Sequence, residues 1–482
     1  MYQRFLWFFT ATAAPALVSL IMVPLTTSKL AAADFGVFAL LMSIVGFGSA
    51  FAGLGATYII AKQYLGLEDP ARQRLVSTII NLGVLIWIVF ALVVIAVSSV
   101  NGNGVFGLKD LRPSFLYISL AAGLCGIPWT VAADVLTVSK QSKSFAAISI
   151  SQSIGGAIAI TTCLYFFDAG PLALYIGALV GAFAGCIGSL VRLRSCLSLT
   201  IDRKTANTLL KFVPTTLGAN LLDSAQTVLE RQLLALFVGV SGLGIYTHAQ
   251  SYRRLAFTAM KSVSRAVWPE TLEEANASEL SFEQTRYVWW IVYTLLFLCG
   301  LVCALFGEVI ISWWTHGKFS DAYVFTALWM VFLLIQFTGR SQTGFMFAKG
   351  FGLAYSRMAL AANSVGVLLL VLLVPHQRLT GAFLAALVPM LLLRIGMHVF
   401  CWRRASIPFD DGPAILGVVI ICGALLAETA KPSALVRAII LCLAVGFYCA
   451  GTFGQLRASL SFGQQKLSFW MKPQRSPDGK IN

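Results

Sequence analysis

The sequence has 482 residues, 58% hydrophobic and only 11% charged, with a net charge of +15 and a mean hydropathy of +0.81. A soluble domain carries about 25% charged residues, and the apolar excess here corresponds to about a dozen or more bilayer-spanning helices of roughly 20 residues each. That excludes a soluble enzyme, and in such a chain positive charge first reports topology rather than nucleic-acid binding.

In chain order, the apolar run from Phe5 is too long for a cleaved leader and passes into a second span without a small-residue cleavage site, so it reads as a first transmembrane helix. About fourteen spans follow from the apolar runs, near residues 6–27, 36–60, 76–98, 114–138, 145–166, 172–191, 212–238, 243–265, 287–312, 322–345, 358–375, 380–402, 413–428 and 434–454. The runs are continuous rather than alternating, which excludes a β-barrel. Lys and Arg divide 27 to 7 between the two sets of connecting segments, with Arg231 inside a span. Because positive residues are retained in the cytoplasm, both termini are expected there. Most connections are short, and the longest are the basic 192–211 and acidic 270–285 segments. No extramembrane domain and no GxxxxGK[ST] motif is evident, so ATP is not the expected direct energy source.

Chemistry other than transport has little support. The ten cysteines lack CxxC or CxxH spacing and read as small hydrophobes rather than ligands or disulfides. HExxH, GxSxG and Cys/His clusters are missing, so no catalytic residue, metal or cofactor is expected.

An internal repeat is visible in short motifs. Lys29-Leu-Ala-Ala-Ala-Asp-Phe-Gly36-Val-Phe38 and Phe237-Val-Gly-Val-Ser-Gly-Leu-Gly244-Ile-Tyr246 both run through a turn to Gly, an aliphatic and an aromatic residue before a new span, at an offset of 208 residues. Six helices lie between them, which preserves orientation. The expected fold is an all-α polytopic membrane protein of two parallel six-helix lobes plus two C-terminal helices. Its parts are an N-lobe at 1–200, a C-lobe at 201–405, the additional helices at 406–455 and a basic cytoplasmic tail at 456–482.

Polar residues concentrate in spans seven and eight. Thr216, Asn220, Asp223, Thr227 and Arg231 share one helical face, bordered by Glu230. Thr247, Gln250, Arg254, Thr258, Lys261 and Arg265 form a similar stripe, with Arg253 about 100° away. Arg254 and Asp223 fall about 15 and 18 Å from the nearest span end at 1.5 Å per residue, near the midplane. Ionisable groups at that depth are costly unless paired or wet. Pairing of Asp223 or Glu230 with Arg231, Arg253 or Arg254 would lock the two helices together. Two carboxylates cannot neutralise five cations, however, and the excess favours a cavity for an anionic ligand. Lys29 and Lys62, at span ends, serve either that cavity or snorkelling, and Arg340, in Gln336-Phe-Thr-Gly-Arg340-Ser-Gln-Thr343, is open in the same way. His248 is either a proton-coupling group or a hydrogen-bonded packing residue.

Leu17-Val-Ser-Leu-Ile-Met-Val-Pro24-Leu-Thr-Thr-Ser-Lys29-Leu, followed by Phe35-Gly36-Val-Phe38, resembles the opening of bacterial oligosaccharide flippases in the polysaccharide-transport (O-antigen) branch of the multidrug/oligosaccharidyl-lipid/polysaccharide exporter superfamily. Asp223, Gly244-Ile-Tyr246, Ala249 and Tyr252-Arg253-Arg254 are similar to that family's second-half pattern, and Trp313-Trp314-x-x-Gly317-Lys-Phe-Ser-Asp321-Ala322 to its external turn, with Phe319 where Tyr is commoner. The resemblance implies a non-enzymatic flippase of the bacterial inner membrane. Its cargo would be an undecaprenyl-diphosphate-linked oligosaccharide for O-antigen, capsule or exopolysaccharide, carried by alternating access through a cationic central cavity. Arg254, Arg253, Lys261, Arg231, Arg340, Lys29 and Lys62 would meet the diphosphate, and Asn220, Thr227, Gln250, Gln336 and Gln342 suit sugar hydroxyls. Asp223, Glu230 or His248 would couple movement to H+ or Na+. Expected partners are membrane lipids and a polymerase or ligase, with no nucleic acid. The alternative is a cation-coupled multidrug exporter of the same superfamily, which would more naturally show an acidic, aromatic cavity.

Overall fold

The computed structural model describes residues 2–53, 59–60, 64, 67–100, 112–198, 200–276, 282–407 and 411–471. Among them the regular structure is helical. The first six helices are α1 (Tyr2–Lys29), α2 (Ala32–Ala52), α3 (Asp69–Val100), α4 (Pro113–Val138), α5 (Ser142–Tyr165) and α6 (Leu172–Arg192). Next come the long α7 (Arg203–Phe237) and α8 (Val240–Asn276), then α9 (Glu283–Trp314), α10 (Ala322–Phe337), α11 (Arg340–Ala348), α12 (Gly352–Ala405), α13 (Gly412–Glu428) and α14 (Ala434–Met471).

Local chemistry sets several of these boundaries. Asp34 accepts the Ala31 N–H at 2.8 Å and closes the first turn of α2. Pro113 opens α4, where its missing N–H costs nothing. Within α1, Pro15 and Pro24 are accommodated, and the hydroxyls of Thr26 and Thr27 donate to the Met22 and Val23 carbonyls, each at 2.8 Å.

Nine helical segments of the described residues are long and apolar enough to cross a membrane, and Ala13–Lys29 and Gly412–Glu428 are shorter apolar helices. One of the nine is α12, which Arg378 divides at φ 51° and ψ −124°, between the two spans expected there. The polar stripe keeps α7 and α8 outside that set, although each exceeds thirty residues. With α12 counted as two and α7 and α8 included, all fourteen expected spans have a helical counterpart. The tenth is interrupted, because Gly339 adopts φ 72° between α10 and α11.

The chain forms two compact units. The first comprises Met1–Ala266, Glu308–Phe325 and Gly350–Gly396, and the second Val267–Gly307, Thr326–Lys349 and Met397–Asn482. A core of the first unit gathers around Trp87, with Leu41, Ile44, Leu120, Ile127 and Tyr175. Its indole N–H donates to the Leu120 carbonyl at 3.1 Å, so the one polar atom of the ring is satisfied. In the second unit, Phe297 stacks on Tyr448 with ring centroids 4.0 Å apart.

The repeated glycine motif has a packing counterpart in the first unit. A β-carbon on Gly36 would meet the Val240 carbonyl oxygen at 2.1 Å, and one on Gly244 would meet the Ala32 carbonyl oxygen at 1.8 Å. Positions 32 and 240 are separated by the same 208 residues as 36 and 244. The contact is therefore reciprocal, each glycine receiving the backbone of the other motif, as at a two-fold interface. Only residues without a side chain permit that approach.

Candidate functional site

A cavity of about 550 Å³ opens in the first unit between α1, α2, α5, α6, α7 and α8. That lies within the range of small-molecule sites. Two of its walls differ chemically. One is built by α5 and α6, whose backbones nearly touch: a β-carbon on Gly181 would meet the Gln152 carbonyl at 2.9 Å, and one on Gly156 the Gly177 carbonyl at 3.0 Å. Small residues allow that approach, which sets Gln152 and Ser153 on the wall beside Gly156, Gly177 and Gly181. With Ser19 and Thr26 of α1, this side offers hydroxyls and an amide and no charge.

The other wall is Arg231 of α7 with Thr247, His248, Ser251 and Arg254 of α8. One guanidinium nitrogen of Arg231 donates to the Ala39 carbonyl of α2, while its Nε has no hydrogen-bond partner among the described residues. Arg254 lines the cavity with its side chain uncovered by the protein and donates to the Ser251 hydroxyl at 3.0 Å. Among the described residues, neither arginine has a carboxylate within ion-pair distance and no Asp or Glu lines the cavity. Arginine keeps its charge in a protein, so the cavity carries two positive charges. An arginine at the mid-membrane depth expected for Arg254 costs about 2.5–3.5 kcal/mol, and a hydrogen bond to a charged group returns about 1.5–3 kcal/mol. One neutral acceptor therefore does not stabilise Arg254 on its own, and water or an anion in the cavity would.

The other expected residues are placed as follows. The Glu230 carboxylate is buried and accepts the hydroxyl of the equally buried Tyr246 at 2.6 Å. Gln250, one turn on from Tyr246, is buried and outside the cavity lining, and the half-buried Arg253 is outside it too. His248 lines the cavity but is held as a packing residue. It stacks on Phe319 at 4.3 Å between centroids, and its Nε2 is 3.1 Å from the Tyr252 hydroxyl. Asp223 is exposed, and the Thr227 hydroxyl donates to its backbone carbonyl at 3.1 Å. Lys29 and Lys261 stand away from the cavity, over the rings of Tyr165 at 5.7 Å and Phe257 at 5.9 Å. Arg340 belongs to the second unit, over the rings of Trp289 at 4.9 Å and Phe337 at 4.6 Å. Lys62 lies outside the described residues, as do the side chains of Thr216, Asn220 and Arg265.

Gln152, Ser153 and Ser251 were not anticipated. A signal was available for the first two, since Ser149, Gln152, Ser153 and Gly156 recur at helical spacing in an otherwise apolar span.

A multi-pass helical bundle enclosing a cationic cavity has the architecture of a membrane transporter. Residues 30–276, just over half of the chain, match the polysaccharide biosynthesis protein family, and the chain belongs to that family. A search of curated protein sequences gave no match. Among solved structures, the chain is similar to the lipid II flippase MurJ in an inward closed conformation, with a TM-score of 0.67 and 13% identity over 93% of this chain and 99% of MurJ. It is also similar to a multidrug resistance MATE family transporter of the MOP superfamily in an inward-facing conformation, with a TM-score of 0.58 and 13% identity over 84% and 95% of the two chains. A MOP superfamily transporter from Pyrococcus furiosus, described as having a binding pocket of reverse polarity that suggests a different function, gives a TM-score of 0.56 at 12% identity over 83% and 94%. The chain shares its fold with these solved structures, and the family match agrees with the resemblance to polysaccharide-transport proteins read from the sequence.

Proposed function

We propose that this chain is a non-enzymatic flippase that moves an undecaprenyl-diphosphate-linked oligosaccharide across the bacterial inner membrane for surface polysaccharide assembly. The observation that supports this reading best is the charge of the cavity: Arg231 and Arg254 face a void with no carboxylate among the described residues of its lining. A diphosphate is dianionic, and guanidinium groups offset its desolvation while offering several donors in a fixed fork. The neutral wall of Gln152, Ser153 and Ser19 suits sugar hydroxyls. A multidrug exporter for cationic compounds would be poorly served by two arginines.

In this reading the lobes at 1–200 and 201–405 rock about the cavity, and the prenyl tail stays in lipid. The helices at 406–455 are accessory, and both termini are cytoplasmic. Outward opening would part the reciprocal contact at Gly36 and Gly244. Ion coupling, with H+ or Na+, falls to Glu230, a buried carboxylate that accepts the Tyr246 hydroxyl, ahead of the exposed Asp223 and the packed His248.

The test is flipping of a fluorescent undecaprenyl-diphosphate oligosaccharide in proteoliposomes by wild type and Arg254→Ala, with folding followed by thermal melting. Transport by wild type and its loss in a well-folded Arg254→Ala are expected. Unchanged flipping in the variant would make Arg254 structural, and no flipping by wild type would move the reading to drug export.

A further inference from the structure

A second cavity, of about 390 Å³, lies at the end of the first unit where α1 begins, and shares no lining residue with the first. Three cations line it, Lys140, Lys143 and Arg192, together with Trp7 and Gln141. The turn from α4 to α5 brings them together. Ser139 N–H closes on the Val135 carbonyl and Gln141 N–H on the Leu136 carbonyl, each at 2.8 Å, while Lys140 takes φ 58°. The chain thus reverses within three residues and places both lysines on the same cavity. Arg192, at the end of α6, is fixed by two hydrogen bonds from Nε and a terminal nitrogen to the Gln141 side-chain oxygen, at 2.9 and 2.7 Å. That amide orients the guanidinium without neutralising it. Lys143 stands 5.9 Å from the centre of the Trp7 ring. Among the described residues, none of the three cations has a carboxylate within ion-pair distance.

Lysines and arginines that only set topology need no common target and no fixed orientation. Here three converge on one recess, one of them held by a dedicated amide, beside an indole of the type that sits at headgroup depth. The positive-residue count places this end at the cytoplasmic face, where anionic headgroups are recognised by basic pockets between helices. The geometry points to a seat for a phosphate-bearing anion, and its place at the membrane edge assigns that anion to the headgroup of an anionic phospholipid such as phosphatidylglycerol. The seat is independent of the transport reading.

Native mass spectrometry of the full-length, delipidated protein titrated with phosphatidylglycerol or phosphatidylcholine tests it. Wild type should retain phosphatidylglycerol preferentially. The triple variant Lys140→Gln, Lys143→Gln, Arg192→Gln should lose roughly a hundredfold of that affinity, with a control triple of Arg203→Gln, Lys204→Gln and Arg357→Gln close to wild type. The single change Lys143→Gln, at an exposed side chain, should lose about fivefold and serves if the triple variant does not fold. Equal retention by the cavity variants and wild type would overturn the proposal, and so would an equal loss in the control. Binding of soluble pyrophosphate without any preference for phosphatidylglycerol over phosphatidylcholine would overturn the lipid assignment.

Discussion

In the second unit, Asp411 is buried with both carboxylate oxygens in use. The Tyr293 hydroxyl donates to Oδ1 at 2.6 Å, and the Gly339 N–H donates to Oδ2 at 2.8 Å. In the first unit, Arg254 faces a cavity with one neutral acceptor at 3.0 Å. The two charges are met differently. Asp411 satisfies groups that its own fold exposes: Gly339 sits in the left-handed region at φ 72°, its N–H turned away from a helical partner. That break ends α10 and begins α11, and it brings Arg340 over Trp289. Arg254 satisfies little of the protein, so its charge is available to something that is not part of it. In the proposed reading, how completely a charge is met inside the chain distinguishes a structural group from a binding group.

The largest expected effect on stability tests the structural side. Asp411→Ala orphans the Gly339 N–H and removes one acceptor of the Tyr293 hydroxyl, which also donates to the Phe337 carbonyl at 3.0 Å. At about 1–3 kcal/mol per unsatisfied buried group, a loss of roughly 3 kcal/mol is expected, read as a large fall in Tm in detergent. Asp411→Asn should recover part of it, since an amide oxygen can still accept one of the two bonds. Gly244→Val ranks next. Its β-carbon would fall 1.8 Å from the Ala32 carbonyl, and overpacking of this kind costs about 1–3 kcal/mol. Melting of Gly244→Val at the wild-type temperature would show that the reciprocal contact bears no strain.

Arg254→Ala comes third in stability and sharpens the comparison most. Removing one exposed group and its neutral hydrogen bond should change stability by less than about 1 kcal/mol, while transport in proteoliposomes falls at least about tenfold. A Tm drop matching that of Asp411→Ala would erase the distinction between the two charges and return Arg254 to a locking role.

The sequence made part of this legible. Fourteen apolar runs have helical counterparts because length and hydropathy are local properties. Arg231 and Arg254 stood out because a charge within an apolar run is visible without knowing its neighbours. The pairing of Gly36 with Gly244 was foreshadowed by the repeated motif, although the repeat did not say that the two copies touch. Other features depend on distant partners. Gln152 joins the cavity because Gly177 and Gly181 let α6 approach α5, which neither helix reveals alone. A single glycine at 339 is tolerated in an apolar run, and its break becomes evident only with Asp411, 72 residues on. On α8, the expected stripe grouped Gln250 with Arg254, whereas the lining face is Thr247, His248, Ser251 and Arg254. One residue is about 100° of rotation, and only the neighbouring helices decide which side faces the void.

The smallest expected effect extends the comparison to a carboxylate outside the membrane. Asp202 caps α7, its Oδ2 accepting the Thr205 hydroxyl at 2.6 Å and the Thr205 N–H at 2.8 Å. These two bonds, the hydroxyl's first, hold the carboxyl below its ordinary range. A depressed pKa means that the cap's contribution is fully present above the unfolded value of about 3.9 and is lost as pH falls through the folded value. Protection of the first turn of α7 from hydrogen exchange should therefore stay level from about pH 8 to 5, after correction for the intrinsic rate, and decline only in stronger acid. Asp202→Ala should show the lower protection already at neutral pH, with transport and global Tm nearly unchanged, since a helix cap acts within its first turn. Like Asp411, Asp202 is met by its own chain, so its loss should be felt as local structure. A transport defect in Asp202→Ala with the helix start intact would place this carboxylate with Arg254 instead.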